Sequence, residues 1–183
     1  MIGLRVSVVL GLAITSLSLA GCATPARTEA MVASSVVAPI AANASKKLRG
    51  NIAIGEVTGG SATNPMWVSK VGGAEFERAL ETSLRNFGFL SENRQAGGYR
   101  LIADLREVNQ PIGGFDLTVT STVEYQLIDR TSNASIYRET ITAPHTAKMA
   151  DAWDANERLR LGNEGSIRAN IERLIQRLSS LNP

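Results

Sequence analysis

Residues 115–127 read FDLTVTSTVEYQL, which is the most regular hydropathy pattern in the chain. Apolar or small residues alternate with polar ones, as they do when successive side chains point to opposite faces of a β-strand. The pattern predicts a strand in an antiparallel sheet with one buried and one solvated face. The residues predicted to face the core are Phe115, Leu117, Val119, Ser121, Val123, Tyr125 and Leu127.

The sequence around this strand predicts three more strands. Residues 129–133 (DRTSN) are typical of a hairpin loop, so residues 134–142 are predicted to return as the partner strand. Residues 99–105 alternate in the same way. Residues 52–57 predict a shorter strand, which is stopped by two glycines.

Two regions have the three- and four-residue apolar spacing of amphipathic helices. The first covers residues 70–87. The second is a stripe over residues 167–181, and residues 151–161 also fit a helix. Gly162 and Gly165 lie between these two pieces and leave their continuity open.

The order strand, helix, three strands, helix predicts an α+β fold: an antiparallel-rich four-stranded sheet with helices packed on one face. Residues 51–183 are the right length for a single domain. The 19 basic and 17 acidic residues of the chain nearly cancel. A phosphate backbone requires a basic surface, so no nucleic-acid partner is expected.

Residues 1–21 have the three parts of a secretory signal peptide. Arg5 supplies the positive start, Val6 begins an apolar run that ends at Leu19, and small residues follow. The run is short for a membrane-spanning helix, which needs about 20 apolar residues.

Leu19-Ala20-Gly21-Cys22 closes this segment, and Cys22 is the only cysteine in the chain. The motif resembles the lipobox of bacterial lipoproteins. The resemblance implies a diacylglycerol on the Cys22 sulfur, cleavage before Cys22 and acylation of the new amino group. Several acyl chains hold a protein on a membrane stably. Ala23, rather than aspartate, follows the cysteine, which in such lipoproteins implies the outer membrane, with the inner membrane as the alternative.

Residues 22–50 are predicted to be the lipidated N-terminus and a flexible tether, because they are rich in small residues and interrupted by Pro25 and Pro39. Val36, Val37 and Ile40 argue against full disorder, since a short apolar piece can dock on the domain.

Candidate catalytic groups are few. His145, the single histidine, is interpreted as a surface residue in a loop, with a general base as the alternative. Asp104, Asp116 and Glu124 are interpreted as solvated charges on the polar side of the sheet rather than as paired catalytic carboxylates. We therefore predict no enzyme activity, no cofactor and no metal site.

Gly72-Gly73 lies near the start of a predicted helix, where free backbone amides can bind an anion. Trp153 is predicted to lie in the core. Trp67 follows a proline loop and fits either a core residue or an exposed contact with a partner, because tryptophan is enriched at interface hot spots.

The stretch from Tyr99 to Leu178, with its paired strands and terminal helix, resembles two groups of small envelope lipoproteins. These are the lipopolysaccharide-assembly lipoproteins and the auxiliary lipoproteins of ABC-type lipid transporters. The resemblance implies a non-catalytic accessory or assembly subunit on the periplasmic face of the membrane, with an envelope protein as partner. A periplasmic lipid- or glycan-binding module is the alternative.

Overall fold

The computed structural model describes residues 23–66, 68–93 and 95–183. The N-terminal part contains α1 (Thr28–Met31), a 3-10 turn (Ser35–Val37) and α2 (Ala38–Ala41). The remaining elements are β1 (Ile52–Gly59), α3 (Gly73–Asn86), β2 (Tyr99–Asn109), β3 (Leu117–Asp129), β4 (Ser135–Ala147) and α4 (Ala155–Ser180). The chain is thus α+β, as predicted, but its element order differs because short helical segments precede β1.

The four strands form one sheet in the order β1-β2-β3-β4. β1 pairs with β2 in parallel, whereas β2–β3 and β3–β4 are antiparallel. β1 and β2 are parallel because α3 connects them. A crossover helix carries the chain back to the end of the sheet where β1 began, so β2 runs in the same direction. α3 contacts β1, and α4 contacts β3 and β4.

The alternation predicted for β3 is confirmed at Leu117, Val119, Ser121, Val123, Tyr125 and Leu127, all of which are buried. Phe115 is the exception. Its side chain is 78% exposed because the strand begins only at Leu117, so position 115 belongs to the preceding loop and not to the core face.

β4 is longer than the sequence predicted and extends through Pro144 to Ala147. Proline is tolerated because β4 is an edge strand, where one side of the backbone needs no ladder partner. His145 therefore lies on a strand opposite Val119, and the prediction of a loop position was wrong.

α4 is a single helix of 26 residues that runs through both glycines. A Cβ atom at Gly162 would lie 2.7 Å from Val119 Cγ2, and one at Gly165 would overlap the His145 ring. The glycines therefore let the helix approach the sheet closely. The Asp154 side chain caps the helix by accepting a hydrogen bond from Glu157 N at 2.9 Å. Trp153 precedes this cap and is 85% exposed, which corrects its predicted place in the core.

A buried polar seam joins α4 to the sheet. Asn170 Nδ2 donates to Ile141 O at 2.8 Å, and Tyr125 Oη donates to Asn170 Oδ1 at 3.0 Å. Ser166 Oγ donates to Ala143 O at 2.8 Å, and Ser121 Oγ donates to Ser166 O at 3.1 Å. Because each donor needs its acceptor in one place, the seam fixes the helix in a single register on the sheet.

The N-terminal segment 23–50 differs from the predicted tether, because it packs on the domain. Its buried residues belong to the same core as the sheet and α3: Ala26, Met31, Ala33, Val37, Ala41, Ala44 and Leu48. Of the three apolar residues that argued against full disorder, Val37 is buried, whereas Val36 and Ile40 are exposed. In the described residues no helix has the length and apolar character needed to cross a bilayer.

We predict that Gly165→Ala lowers the free energy of unfolding by about 1–3 kcal/mol through overpacking against His145. Helix propensity alone would predict a gain of up to about 1 kcal/mol, so the sign of the change tests the contact. Urea denaturation measures it. In a His145→Ala background, Gly165→Ala should cost much less free energy of unfolding. Gly113→Ala is the control and should change the free energy of unfolding little, because a new Cβ there meets nothing within 4 Å.

Candidate functional site

One end of the domain gathers the features of interest, and we call it the anchor-proximal end because the segment that follows the predicted lipidation site begins there. It consists of the loops 60–72, 110–116 and 148–154. The antiparallel pairing places the end of β2, the start of β3 and the end of β4 together, since Leu117 pairs with Ala147. The start of α4 lies at the same end, because Leu159 packs with Leu117 and Val119.

The N-terminal segment enters the domain at this end. Ala23 N donates to Pro65 O at 2.9 Å, and Ala26 N donates to Lys70 O at 3.2 Å. Ala23 itself is only 3% exposed. Ala23, the first residue that the structure describes, is therefore held in place on the domain.

Arg27 holds the segment against α4. Its backbone N and side-chain Nε both donate to Glu164 Oε1, at 2.9 and 3.0 Å, and its Nη2 donates to Oε2 at 3.0 Å. The Glu164 side chain is 2% exposed, and its Oε1 also accepts a hydrogen bond from Arg160 Nη1 at 3.4 Å. The hydrogen bond to Glu164 raises the pKa of the Arg27 guanidinium. This bidentate pair joins residues 137 positions apart.

Two further contacts continue the attachment away from this end. Ser34 N and Oγ donate to Glu172 Oε1 at 2.9 and 2.6 Å, and Arg168 Nη1 donates to Ala30 O at 3.2 Å. The segment is thus attached along several turns of α4.

Large apolar side chains are exposed at the anchor-proximal end. Met66 is 90% exposed, Ile112 is fully exposed, and Phe115 and Trp153 are mostly exposed. An open cavity of 510 Å³ lies here, and its lining residues are Gly114, Phe115, Met149, Trp153 and Arg158. Arg158 is buried, and its Nη1 donates to the carbonyls of Ala152 and Trp153 at 2.8 and 2.7 Å, which holds the 148–154 loop in place.

The carboxylates considered from the sequence are engaged with other groups. Arg106 binds Asp104 Oδ2 at 3.0 Å and Glu124 Oε2 at 2.5 Å, and Arg138 Nε donates to Glu124 Oε1 at 2.6 Å. Hydrogen bonds from Arg106 and Arg138 lower the pKa of Glu124. Asp116 Oδ1 accepts from Met149 N at 3.0 Å and ties two loops together.

His145 is half-buried between β4 and α4, against the position of Gly165. Burial, and then the nearby positive charge of Arg168, lower the pKa of its imidazole. The ring therefore serves as a neutral spacer in the contact between helix and sheet. Within the described ranges, no group of three or more His, Cys, Asp and Glu side chains could hold a metal ion.

The Gly72-Gly73 pair lies at the start of α3, where Gly72 is the N-cap residue. The Glu75 carboxylate in the first helical turn reaches back to Gly72, so a negative group of the chain itself already lies there. The residues of the predicted lipobox, Leu19, Ala20, Gly21 and Cys22, lie outside the described residues, as does Trp67.

Sequence reasoning missed the clamp between Arg27 and Glu164 and the exposure of Met66, Ile112 and Phe115. The sequence around Arg27 and around Glu164 gives no signal of the clamp. The exposed residues do have one, because residues 111–115 read PIGGF and place two large apolar side chains in a turn rich in proline and glycine.

No family model matches the sequence, and no curated protein matches it. A Xanthomonas campestris protein of the family DUF330 has the same fold, with a TM-score of 0.53 at 11% identity over 69% of this chain and 81% of that one. The chain is therefore similar to that protein in fold.

Two weaker structural likenesses are to lipid-linked or assembled bacterial proteins. A minor lipoprotein of Acinetobacter baumannii has a TM-score of 0.47 at 14% identity and covers 72% of this chain and 94% of its own. A chain of the PelC dodecamer of Paraburkholderia phytofirmans has a TM-score of 0.48 at 14% identity, and the match covers 76% of this chain and 95% of the PelC chain. At these scores neither likeness bears on the function of this chain.

We predict that Arg27→Ala lowers the free energy of unfolding by about 1–2 kcal/mol, because it leaves buried Glu164 with fewer donors while the arginine itself is half exposed. Hydrogen exchange should rise at the amides of residues 26–34. Arg85→Ala, which breaks an exposed pair with Glu81, is the matched control and should change both quantities little. Equal effects of the two substitutions would contradict the proposed clamp.

We predict that the free energy of unfolding decreases as the pH falls from about 7 to about 5. The pKa of His145 is lower in the folded protein than in the unfolded chain, so protonation below the ordinary value of 6.5 favours the unfolded chain. The loss stops once the pH is below the folded pKa. Urea denaturation at several pH values in this range measures how the free energy of unfolding changes with pH. The change should be smaller for His145→Gln than for the wild-type chain, and an equal change would contradict the assignment.

Proposed function

We propose that this chain is a bacterial lipoprotein, acylated on Cys22 and held at the periplasmic face of the outer membrane. We further propose that its domain is a non-catalytic accessory or assembly subunit that binds an envelope protein in envelope biogenesis or lipid transport. The observation that carries the proposal is the attachment of Ala23 to Pro65 directly after the lipobox cysteine.

This attachment determines what an anchor on Cys22 would do. A flexible tether would let the domain sample many orientations and distances from the membrane. Here the segment after Cys22 is hydrogen-bonded to the loop 60–72 and clamped to Glu164. The lipid would therefore hold the domain directly on the membrane in a defined orientation, which suits a subunit that presents one surface to a partner.

The solvent-facing side of the sheet is the surface that we assign to the partner. It carries the ion-pair network of Arg106, Glu124 and Arg138. It also carries threonine pairs across β3 and β4, of which Thr118–Thr146 has an Oγ1–Oγ1 distance of 2.8 Å. A polar surface of fixed charges suits a protein partner with complementary charges, because such charges determine orientation and specificity.

A non-catalytic role agrees with how the titratable groups are used. Glu124 and Asp104 bind arginines, Asp116 joins two loops, and His145 fills the contact of β4 with α4. Each of these groups has a structural partner in the described chain, which supports a stabilising role.

The second candidate is a lipid- or glycan-binding module. It is favoured by the open cavity beside Phe115 and Trp153, whose lining includes the buried guanidinium of Arg158. Aromatic side chains next to a cation suit a phospholipid headgroup or a sugar acid.

Mass spectrometry of the protein gently extracted from its own membranes tests both candidates. We expect an acylated Cys22 and one reproducible protein partner, and we expect Cys22→Ala to lose both the lipid and the membrane location. Arg106→Glu should weaken the partner interaction. Arg78→Glu, an equally exposed ion-paired arginine on α3, is the matched control and should leave the interaction intact.

The outcomes separate the candidates. Stoichiometric bound lipid without a protein partner would favour the binding module. An unmodified Cys22 in the native membrane would contradict the lipoprotein assignment.

A further inference from the structure

Four exposed apolar side chains lie at the anchor-proximal end, and we call them the apolar rim: Met66, Ile112, Phe115 and Trp153. The other exposed large apolar side chains in the described residues are Val36 and Ile40, of which Ile40 is only 45% exposed. Exposed apolar residues scattered singly need no explanation, but a group at one end of a domain marks a contact surface.

A shared cavity and the positions of the loops place the members of the rim at the same end of the domain. Phe115 and Trp153 line the same cavity, and Ile112 belongs to the same loop as Phe115. Met66 lies two residues before Val68, which packs on the small cluster of Leu117, Val119 and Leu159 beneath that loop.

The N-terminal attachment lies beside the rim. Ala23 donates to Pro65 O, and Pro65 is the neighbour of Met66 in sequence. Ala23, which follows Cys22 in the sequence, is therefore held next to the loop that carries Met66. A bilayer holding acyl chains on Cys22 would therefore meet this end of the domain first.

We propose that the apolar rim inserts into the interfacial layer of the membrane that holds the lipid on Cys22. The domain then sits on the bilayer with the anchor-proximal end down and the long axis of α4 pointing away from the membrane. This inference rests on the proposed acylation of Cys22 and deepens it, because it assigns a second membrane contact to the folded domain.

The composition of the rim suits a bilayer surface. Tryptophan is enriched at membrane–water interfaces, where its apolar ring and polar N–H are both satisfied, and phenylalanine and methionine add apolar area. The rim is carried on loops, so its side chains can enter the headgroup region while the sheet remains outside.

This end of the domain carries charges of both signs, because the loops and the start of α4 here contain Lys148 and Arg158 as well as Asp116, Asp151 and Asp154. Attraction to anionic lipid is therefore not the driving force. Insertion should depend on apolar contact and change little with salt, since screening weakens only electrostatic binding.

Site-specific labelling tests the proposal on the acylated full-length mature protein reconstituted into phosphatidylethanolamine–phosphatidylglycerol vesicles. Cys22 is the only cysteine, so acylation leaves Ile112→Cys as the single free thiol for an environment-sensitive fluorophore. Val36→Cys is the matched control. It lies near Ser34, which binds Glu172, and Glu172 is 18 residues, or about 27 Å, along α4 from Asp154.

We expect blue-shifted emission from the label at position 112 and quenching by lipids brominated near the top of the acyl chains, at low and high salt alike. The label at position 36 should emit as in water and be quenched by aqueous iodide. Phe115→Ser and Trp153→Ser together should reduce the blue shift at position 112, because they remove neighbouring apolar area from the rim.

Other results would overturn the inference. Water-like emission from both labels on protein that floats with the vesicles would leave the anchor intact and contradict insertion. A blue shift at position 112 without quenching by brominated lipid would show that a second copy covers the rim instead. Labelling of the wild-type chain at Cys22 would show that this residue is not acylated, and it would overturn the proposed function together with the inference.

Discussion

The close contact of α4 with β3 and β4 is the interaction on which the rest of the structure depends. It has an unusual composition, because glycine, serine and asparagine residues are prominent among the buried residues in the middle of the helix. Gly162 and Gly165 bring the helix axis near the sheet, and Asn170 and Ser166 bind carbonyl groups of β3 and β4. Apolar packing alone tolerates several registers, whereas a buried hydrogen-bond seam is satisfied in only one.

The position of α4 in turn determines the path of the N-terminal segment. Glu164 and Glu172 project from the helix and bind Arg27 and Ser34, so the segment can dock only if the helix is continuous and correctly rotated. The apolar residues of the segment then complete the core beside α3. Because Ala23 is fixed by the same docking, the point at which the chain leaves toward Cys22 is a consequence of the packing of a helix more than 130 residues later.

This arrangement links stability to the proposed membrane function. If the segment were loose, the lipid would restrain only the distance of the domain from the membrane. With the segment clamped, an anchor on Cys22 would enter at the same end of the domain as the apolar rim, and the polar sheet surface that we assign to the partner would have a defined orientation to the bilayer.

The sequence by itself determined the local structure. The alternation over residues 117–127 and the apolar stripes of α3 and α4 could be predicted because each depends on neighbours within a few positions. The lipobox motif at Cys22 is likewise a contiguous signal, and it predicts the anchor. Of the candidate site, only these local parts could be anticipated.

The tertiary structure alone decided the features that depend on distant residues. Gly162 and Gly165 look like helix breakers until Val119 and His145 are seen to require them. Residues 23–50 have the composition of a linker, and only their contacts with Glu164 and the core order them. Trp153 looked like a core residue but lies one residue before the helix cap, outside the core. In each case the structure is determined by contacts between segments far apart in the chain. The periodicity of the local sequence does not indicate such contacts.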